Sequence, residues 1–453
     1  SSARHFLPFF PCSSAAGFSS MDFFTINPDL GCWEEVEAIG REFNLMYDYG
    51  VNHFSSHSEW FESYLAERAG FEEFAIEVDP AADLSMVTRP RSLPLLSQYS
   101  KRNGETVNLW TTFSADQIDF NFQSLDVLEK MIAVLLHYVG KGASILRLDA
   151  VAYLWKEIGT SCIHLPQTHA MVKLLRSILD LTAPGVIILT ETNVPHAENI
   201  SYFGNKGDEA QMVYNFTLPP LLLHAFTTQD ASFLSDWART LALEAPDTTF
   251  FNVTASHDGI GVRPLEGILA PEEIDQLVSV VEMHGGQVSY KNNPDGSMSP
   301  YELNITYVDA IIADEKEMAA QKFMASQAVQ YVLPGVPATY IHSLLGSRNW
   351  VAGVQQTGRA RSINREKLVV QEVEEALLDA ASLRATVFQA YCRLIETRRK
   401  QAAFHPKATF EILDAGPNVF AIRRFCDEQE IIALTNISRR RQRVELKGLK
   451  LPG

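Results

Sequence analysis

Gly142–Tyr153, GASILRLDAVAY, constrains this chain more than any other stretch. Ser144–Leu148 is a short apolar run broken only by Arg147, and Asp149 stands at its end. Upstream, Ser124–Gly140 places Leu128, Met131, Ile132, Leu135 and Leu136 at helical spacing, with Ser124 placed to cap the start and Gly140 to stop it. Helix, short turn and buried strand form the repeating unit of a βα barrel. An ionised pair at a strand's C-terminal end is where such barrels put their chemistry. Residues two apart on a strand face the same side, so Arg147 and Asp149 can orient each other. Taken alone, the pair is equally a structural ion pair.

With 453 residues the chain can hold one large domain and smaller ones, and 46% apolar residues suit a packed core. A net charge of −17 argues against nucleic acid and anionic membrane as partners. An anionic substrate would need a local basic pocket. No apolar run reaches membrane-spanning length, and the opening SSARHFLPFFPC lacks the layout of a signal peptide. The five cysteines, Cys12, Cys32, Cys162, Cys392 and Cys426, are scattered without CxxC spacing. They read as reduced thiols in a cytoplasm, with no zinc site.

Seven strands are expected, near residues 4–10, 44–51, 143–149, 186–192, 211–215, 249–256 and 336–341. A closed (β/α)8 barrel needs eight, so the remaining one is expected before residue 1. Residues 1–54 and 108–400 read as the barrel. Residues 55–107, rich in charge, Pro and Ser, read as an inserted domain carrying RPRSLP, with Arg89 and Arg91 on a Pro-stiffened loop. Residues 261–306 read as a second insertion with a turn at Asn-Pro-Asp-Gly. A helix is expected over 315–331 and another over 382–397, followed by short alternating strands that make 401–453 a partial C-terminal β domain. Arg439–Arg441 is expected to be a solvated hairpin turn there.

Three carboxylates, Asp149, Glu191 and Asp258, end three different strands, with Arg147, His53 and His257 at the same level. Several acids at one barrel mouth, without metal-ligand spacing, fit glycosyl transfer. One carboxylate attacks the anomeric carbon, a second protonates the leaving oxygen and a third supports an oxocarbenium-like transition state. Histidines there would hydrogen-bond sugar hydroxyls. A strand-end Asp alone is often only a helix cap; three together are a stronger signal.

RLDAVAY, TETNVPH, NVTASHDGIG and DYGVNH resemble the four conserved regions of the α-amylase clan. LPFFPCSSAAGFS, RPRSLP, WTTFSADQID, KEIGTSC, YNFTLPPLLLHA and TGRARSINR resemble its sucrose-phosphorylase subfamily. The resemblance implies an α/β fold: a (β/α)8 TIM barrel with inserted loop domains and a small C-terminal all-β domain. It implies Asp149 as nucleophile, Glu191 as general acid/base and Asp258 as transition-state stabiliser. Arg147, His53 and His257 would hold the glucosyl unit, with Arg361 near its far hydroxyls. Phe18 and Phe113 would wall the donor sugar, Gln117 follows at the family's spacing, and Arg91 would meet phosphate. No cofactor is implied beyond phosphate as co-substrate, and the oligomeric state is not.

Within the subfamily, SYKNNPDGSMSPYELN, GSRNW and TGRARSINREKL look most like glucosylglycerate phosphorylases. Those exchange an α-glucosyl unit between D-glycerate and phosphate with retention, which places nucleophile and acid about 5–5.5 Å apart. Ser347, Arg348 and Lys291 become candidate acceptor contacts, with Arg348 or Lys291 meeting the glycerate carboxylate; as loop residues they are equally plain solvated positions. Siblings acting on sucrose, sucrose 6-phosphate or glucosylglycerol, a hydrolase, and an impaired sugar-binding homologue remain the alternatives. One departure bears on the last: where the family carries an Asp that grips the donor sugar, this chain has Ala15. Losing such a charged hydrogen bond removes about 1.5–3 kcal/mol.

Overall fold

Each of the seven expected strands forms in the computed structural model, which describes residues 2–14, 17–90, 92–242, 245, 247–293, 296–313, 315 and 317–446. Ala15 and Arg91 lie outside the described residues. The chain divides into two compact units, Ser1–Thr192 with Ile200–Val213 and Lys291–Ser299, and Asn193–Asn199 with Tyr214–Tyr290 and Pro300–Gly453.

The first unit is built on parallel strands numbered here β1 (Ala3–Phe6), β2 (Asn44–Gly50), β3 (Ala143–Asp149), β4 (Ile187–Thr190) and β5 (Met212–Tyr214). They pair in chain order, with Tyr47 opposite Leu146, Gly50 opposite Asp149 and Leu148 opposite Thr190. Helix Leu125–Gly140 packs through Val127, Met131, Val134, Leu135 and Tyr138. The buried stripe is therefore rotated from the expected one, and Leu136 is exposed. Tyr138 and the two valines supply the apolar width that Leu128 and Ile132 were expected to give. Ser124 precedes the helix without a side-chain capping bond. Two tyrosines of β2 tie it to this helix and its end: the hydroxyl of Tyr49 donates to the Met131 carbonyl at 2.6 Å, that of Tyr47 to the Lys141 carbonyl at 2.8 Å.

Within residues 55–107 one helix forms, Glu59–Leu65, with Ser58 accepting from the Phe61 amide at 3.0 Å. The hairpin Leu96–Ser100/Thr106–Trp110 follows. His53–Ser55 pairs antiparallel with Gln117–Asp119, which brings Gln117 opposite Ser55 and Asp119 opposite His53.

The second unit carries β6 (Thr249–Asn252) and β7 (Val336–Pro337), parallel, with Phe251 opposite Val336. Helix Leu218–Thr228 is buried through Leu218–Phe226. Helices Ala319–Val332 and Leu383–Arg399 follow, the first starting four residues later than expected. Ile260–Gly261, Met298–Asn304 and Gln287–Asn292 make a three-stranded sheet in that order. In the expected turn between its last two strands, Pro294 and Asp295 lie outside the described residues. Thr409–Ile412, Val419–Cys426 and Gln429–Asn436 form an antiparallel sheet whose middle strand buries Phe420, Ala421 and Ile422. Arg439 and Arg440 follow in bends and Arg441 in irregular chain, and no strand returns among the described residues.

Several strands stop short of their expected ends. β1 ends at Phe6, two residues before Pro8, which has no N–H to give a ladder. β4 ends at Thr190 and β6 at Asn252, so Glu191 and Asp258 lie on the connections beyond them. No described helix is long and apolar enough to cross a membrane.

Candidate active site

β3 ends as its spacing predicts. Arg147 is 2% exposed and Asp149 8% exposed, both on one side of the strand. The Nη1 of Arg147 donates to Asp149 Oδ1 at 2.8 Å and also pairs with Asp48, which comes from the facing position of β2. His5 of β1 pairs with the second oxygen of Asp48 at 2.8 Å. The Nη2 of Arg147 lies 4.0 Å from Glu191 Oε2. One buried guanidinium thus stands against three carboxylates. Burial pushes the Asp149 carboxyl above its ordinary range, and Arg147 pulls it back.

The backbone joins the same group of residues. Ala150 takes a left-handed conformation, φ 51°, which aims its amide at Glu191 Oε2 at 3.0 Å. A non-glycine residue in that region is strained, and such strain clusters where a site over-determines the backbone.

His53 is fixed from both sides. Lys156 Nζ meets Asn52 Oδ1 at 2.8 Å, which turns Asn52 Nδ2 toward Asp119 at 3.1 Å and toward His53 Nδ1 at 3.3 Å. On the other side of the ring, Nε2 lies 2.9 Å from the Phe18 carbonyl. Burial holds the imidazole below its ordinary value, against the pull of Asp149 and Asp119, so it stays neutral. The Gln117 amide lies 2.7 Å from His53 Nε2. The Phe113 ring stands edge-on to His53 at 5.5 Å and to Tyr153 at 5.6 Å, and Arg147 lies 5.6 Å from the centre of the Phe18 ring. The first unit thus gathers Asp149, Glu191, Arg147, His53, Gln117, Phe18 and Phe113.

The second unit gathers the remaining core of the expected set. His257 Nε2 is 3.5 Å from Asp258 Oδ2. The other oxygen of Asp258 pairs with Arg361, and with Arg365 at 3.3 Å. Arg361 turns its Nε and Nη2 to Glu302, at 2.8 and 2.7 Å. Asn364 donates to the Asp258 carbonyl at 2.8 Å.

The acceptor candidates fare differently. Arg348 is tied to Asp309 and to the Ala313 carbonyl. Ser347 is buried against His342 at 3.1 Å. Lys291 is partly exposed on strand Gln287–Asn292. Asp48, Glu302 and Arg365 were not singled out from the sequence. Their roles come from pairing across long stretches of chain, and a charged residue inside the strand runs YDYG and PYELN is the one signal that marks two of them. Among the described residues no group of three His, Cys, Asp or Glu could hold a metal ion.

The pattern for the α-amylase catalytic domain matches residues 2–259. The chain is 49% identical to the glucosylglycerate phosphorylase of Escherichia coli over 98% of its length and 80% of that protein. It is 50% identical to the glucosylglycerate phosphorylase of Spirochaeta thermophila, over 96% of this chain and 74% of that one. The crystal structure of sucrose 6F-phosphate phosphorylase from Thermoanaerobacter thermosaccharolyticum matches with a TM-score of 0.84 at 25% identity, covering 96% of this chain and 87% of that one. The chain belongs to the α-amylase family, and its fold is that family's α/β barrel catalytic domain.

Proposed function

We propose that this protein is a retaining glycoside phosphorylase that moves an α-glucosyl unit between D-glycerate and phosphate. The observation that carries the reading is the grip of Arg147 on Asp149 at 2.8 Å with Glu191 at 4.0 Å from the same guanidinium, in a chain about half identical to glucosylglycerate phosphorylases over nearly its whole length.

In the first displacement Asp149 attacks the anomeric carbon of α-glucosylglycerate, and Glu191 gives its proton to the departing glycerate oxygen. This leaves a β-glucosyl ester on Asp149. In the second, phosphate enters from the vacated side, Glu191 takes a proton from it, and the ester opens to α-glucose 1-phosphate. Two inversions give net retention. Asp258 stabilises the oxocarbenium-like charge in both steps. Neutral His53 and Gln117 serve sugar hydroxyls, Phe18 and Phe113 wall the ring, and His257 and Arg361 complete the donor contacts. Arg91 supplies the phosphate contact, and Lys291 and Arg348 are the cations proposed for the glycerate carboxylate. Arg348 is held by Asp309. The reaction so written takes no cofactor. The five free cysteines support a cytoplasmic setting.

The test is phosphorolysis of α-glucosylglycerate, read as glucose 1-phosphate, with sucrose run in parallel. The expected result is phosphate-dependent release, strongest with glucosylglycerate and abolished in Asp149→Ala. Stronger release from sucrose moves the protein to a sibling phosphorylase. Glucose release without phosphate makes it a hydrolase. A folded chain that releases nothing is the sugar-binding homologue, and Ala15→Asp becomes the variant to make next.

A further inference from the structure

Two arginines face one oxygen of Asp258, Arg361 in close contact and Arg365 at 3.3 Å, while His257 borders the other oxygen at 3.5 Å. A carboxylate so crowded by cations offers little net negative charge to anything else. Glu302 changes this balance. It is 1% exposed and takes both the Nε and the Nη2 of Arg361, at 2.8 and 2.7 Å, in a fork-to-fork pair. Only Nη1 of Arg361 is left for Asp258. Two acids and two arginines then sum to zero, where one acid and two arginines would leave a net positive patch.

The backbone is shaped for this approach. Ile260 pairs with Leu303 and Gly261 with Glu302. A Cβ on Gly259 would meet Glu302 Cγ at 2.5 Å and the Leu303 carbonyl at 2.7 Å. Glycine at 259 is what lets the carboxylate of the insertion strand sit beside the Asp258 connection.

We propose that Glu302 is a positioning residue of the glycosyl-transfer site: it neutralises Arg361 so that Asp258 keeps the negative charge that an oxocarbenium-like transition state needs. The inference rests on Asp258 being the stabilising carboxylate. It assigns Glu302 an electrostatic task, distinct from merely holding a loop in place.

The experiment compares wild type, Glu302→Gln and Glu302→Asp in binding two probes of one shape, cationic 1-deoxynojirimycin and neutral glucose, by calorimetry near neutral pH. Thermal unfolding of each variant is recorded alongside. Glu302→Gln keeps the shape but loses the charge and one of the two oxygens that accept from Arg361. It should weaken 1-deoxynojirimycin binding about tenfold or more while glucose shifts less than about twofold, and kcat for phosphorolysis should fall by a similar factor. Glu302→Asp, which keeps the charge, should recover most of the preference for the cation. Parallel loss of both probes, or no change in either, overturns the proposal and leaves Glu302 a structural residue. A wild type that binds neither probe overturns it as well. A wild type that shows the charge-dependent preference yet makes no glucose 1-phosphate defeats the phosphorylase reading and leaves this inference standing.

Discussion

The ammonium of Lys156 lies 2.6 Å from the carboxylate of Asp119, with side-chain exposures of 2% and 0%. Lys156 also meets Asn52, whose amide nitrogen faces Asp119 and His53 Nδ1. Asp119 also accepts from the amide and hydroxyl of Thr112, at 2.9 and 2.6 Å. Removing one charge from such a pair strands the other, at a cost of about 3–5 kcal/mol. Lys156→Met should therefore lower the midpoint of denaturant unfolding sharply, and the double variant Lys156→Met/Asp119→Asn should be more stable than the single one. A double variant that is worse than the single by the full Asp119→Asn effect would refute the account.

Asp48 holds the guanidinium that pairs with Asp149 and approaches Glu191. Asp48→Asn releases one of the two anchors on Arg147 Nη1. A displacement of about 1 Å at a reacting centre costs about a hundredfold in rate. Steady-state kinetics should show kcat lowered by that order with KM changed far less, because the sugar contacts proposed for His53, Phe18 and Phe113 stay in place.

Gly259→Ala should be felt in both stability and turnover. Its new methyl would sit 2.5 Å from Glu302 Cγ and 2.7 Å from a backbone oxygen, and the backbone cannot yield as a flexible side chain would. Forced shifts of this kind cost about 1–3 kcal/mol. The expected outcome is a lower melting temperature together with a fall in kcat in the direction expected for Glu302→Gln.

Acid should weaken the protein in part through His342. Burial, with Arg384 adding to it, holds this imidazole at about 4 against an ordinary 6.5. Below 6.5 the unfolded chain binds a proton that the folded chain refuses until about 4. Stability from this group is therefore complete above 6.5 and lost as the pH falls toward 4. His342→Gln removes the term. The difference in melting temperature between neutral pH and pH of about 4.5 should be smaller in the variant than in wild type. An unchanged difference would place the acid sensitivity elsewhere, with His53 and His196, also held low by burial, as the next groups to replace.

The strands were legible because each is a short β-branched or apolar run between breakers, and the site acids were legible because they stand just past such runs. Arg147 and Asp149 could be paired from spacing alone, since a strand puts alternate residues on one side. The burial face of Leu125–Gly140 was not, because Tyr138 counts as amphipathic in a pattern and as a large apolar body in a core. The far ends of β4 and β6 overran because the apolar character continues after the ladder has stopped. Glu302 and Asp48 were hidden for a different reason. Each is a lone acid in its strand, and only the pairing of Gly261 with Glu302, or Asp48 with Arg147 across the strands, reveals what it faces.

The left-handed turn at Ala150 has a stereochemical consequence. Its amide donates to Oε2 of Glu191, and the Arg147 guanidinium approaches that same oxygen. On the proposed mechanism, an oxygen that accepts from a backbone amide with a guanidinium nearby is a poor place for a hydroxyl hydrogen, which favours Oε1 for the proton of Glu191 as the acid. On that mechanism the main chain beside Asp149 chooses the carboxyl oxygen that protonates the leaving group and to which the incoming phosphate must later return a proton.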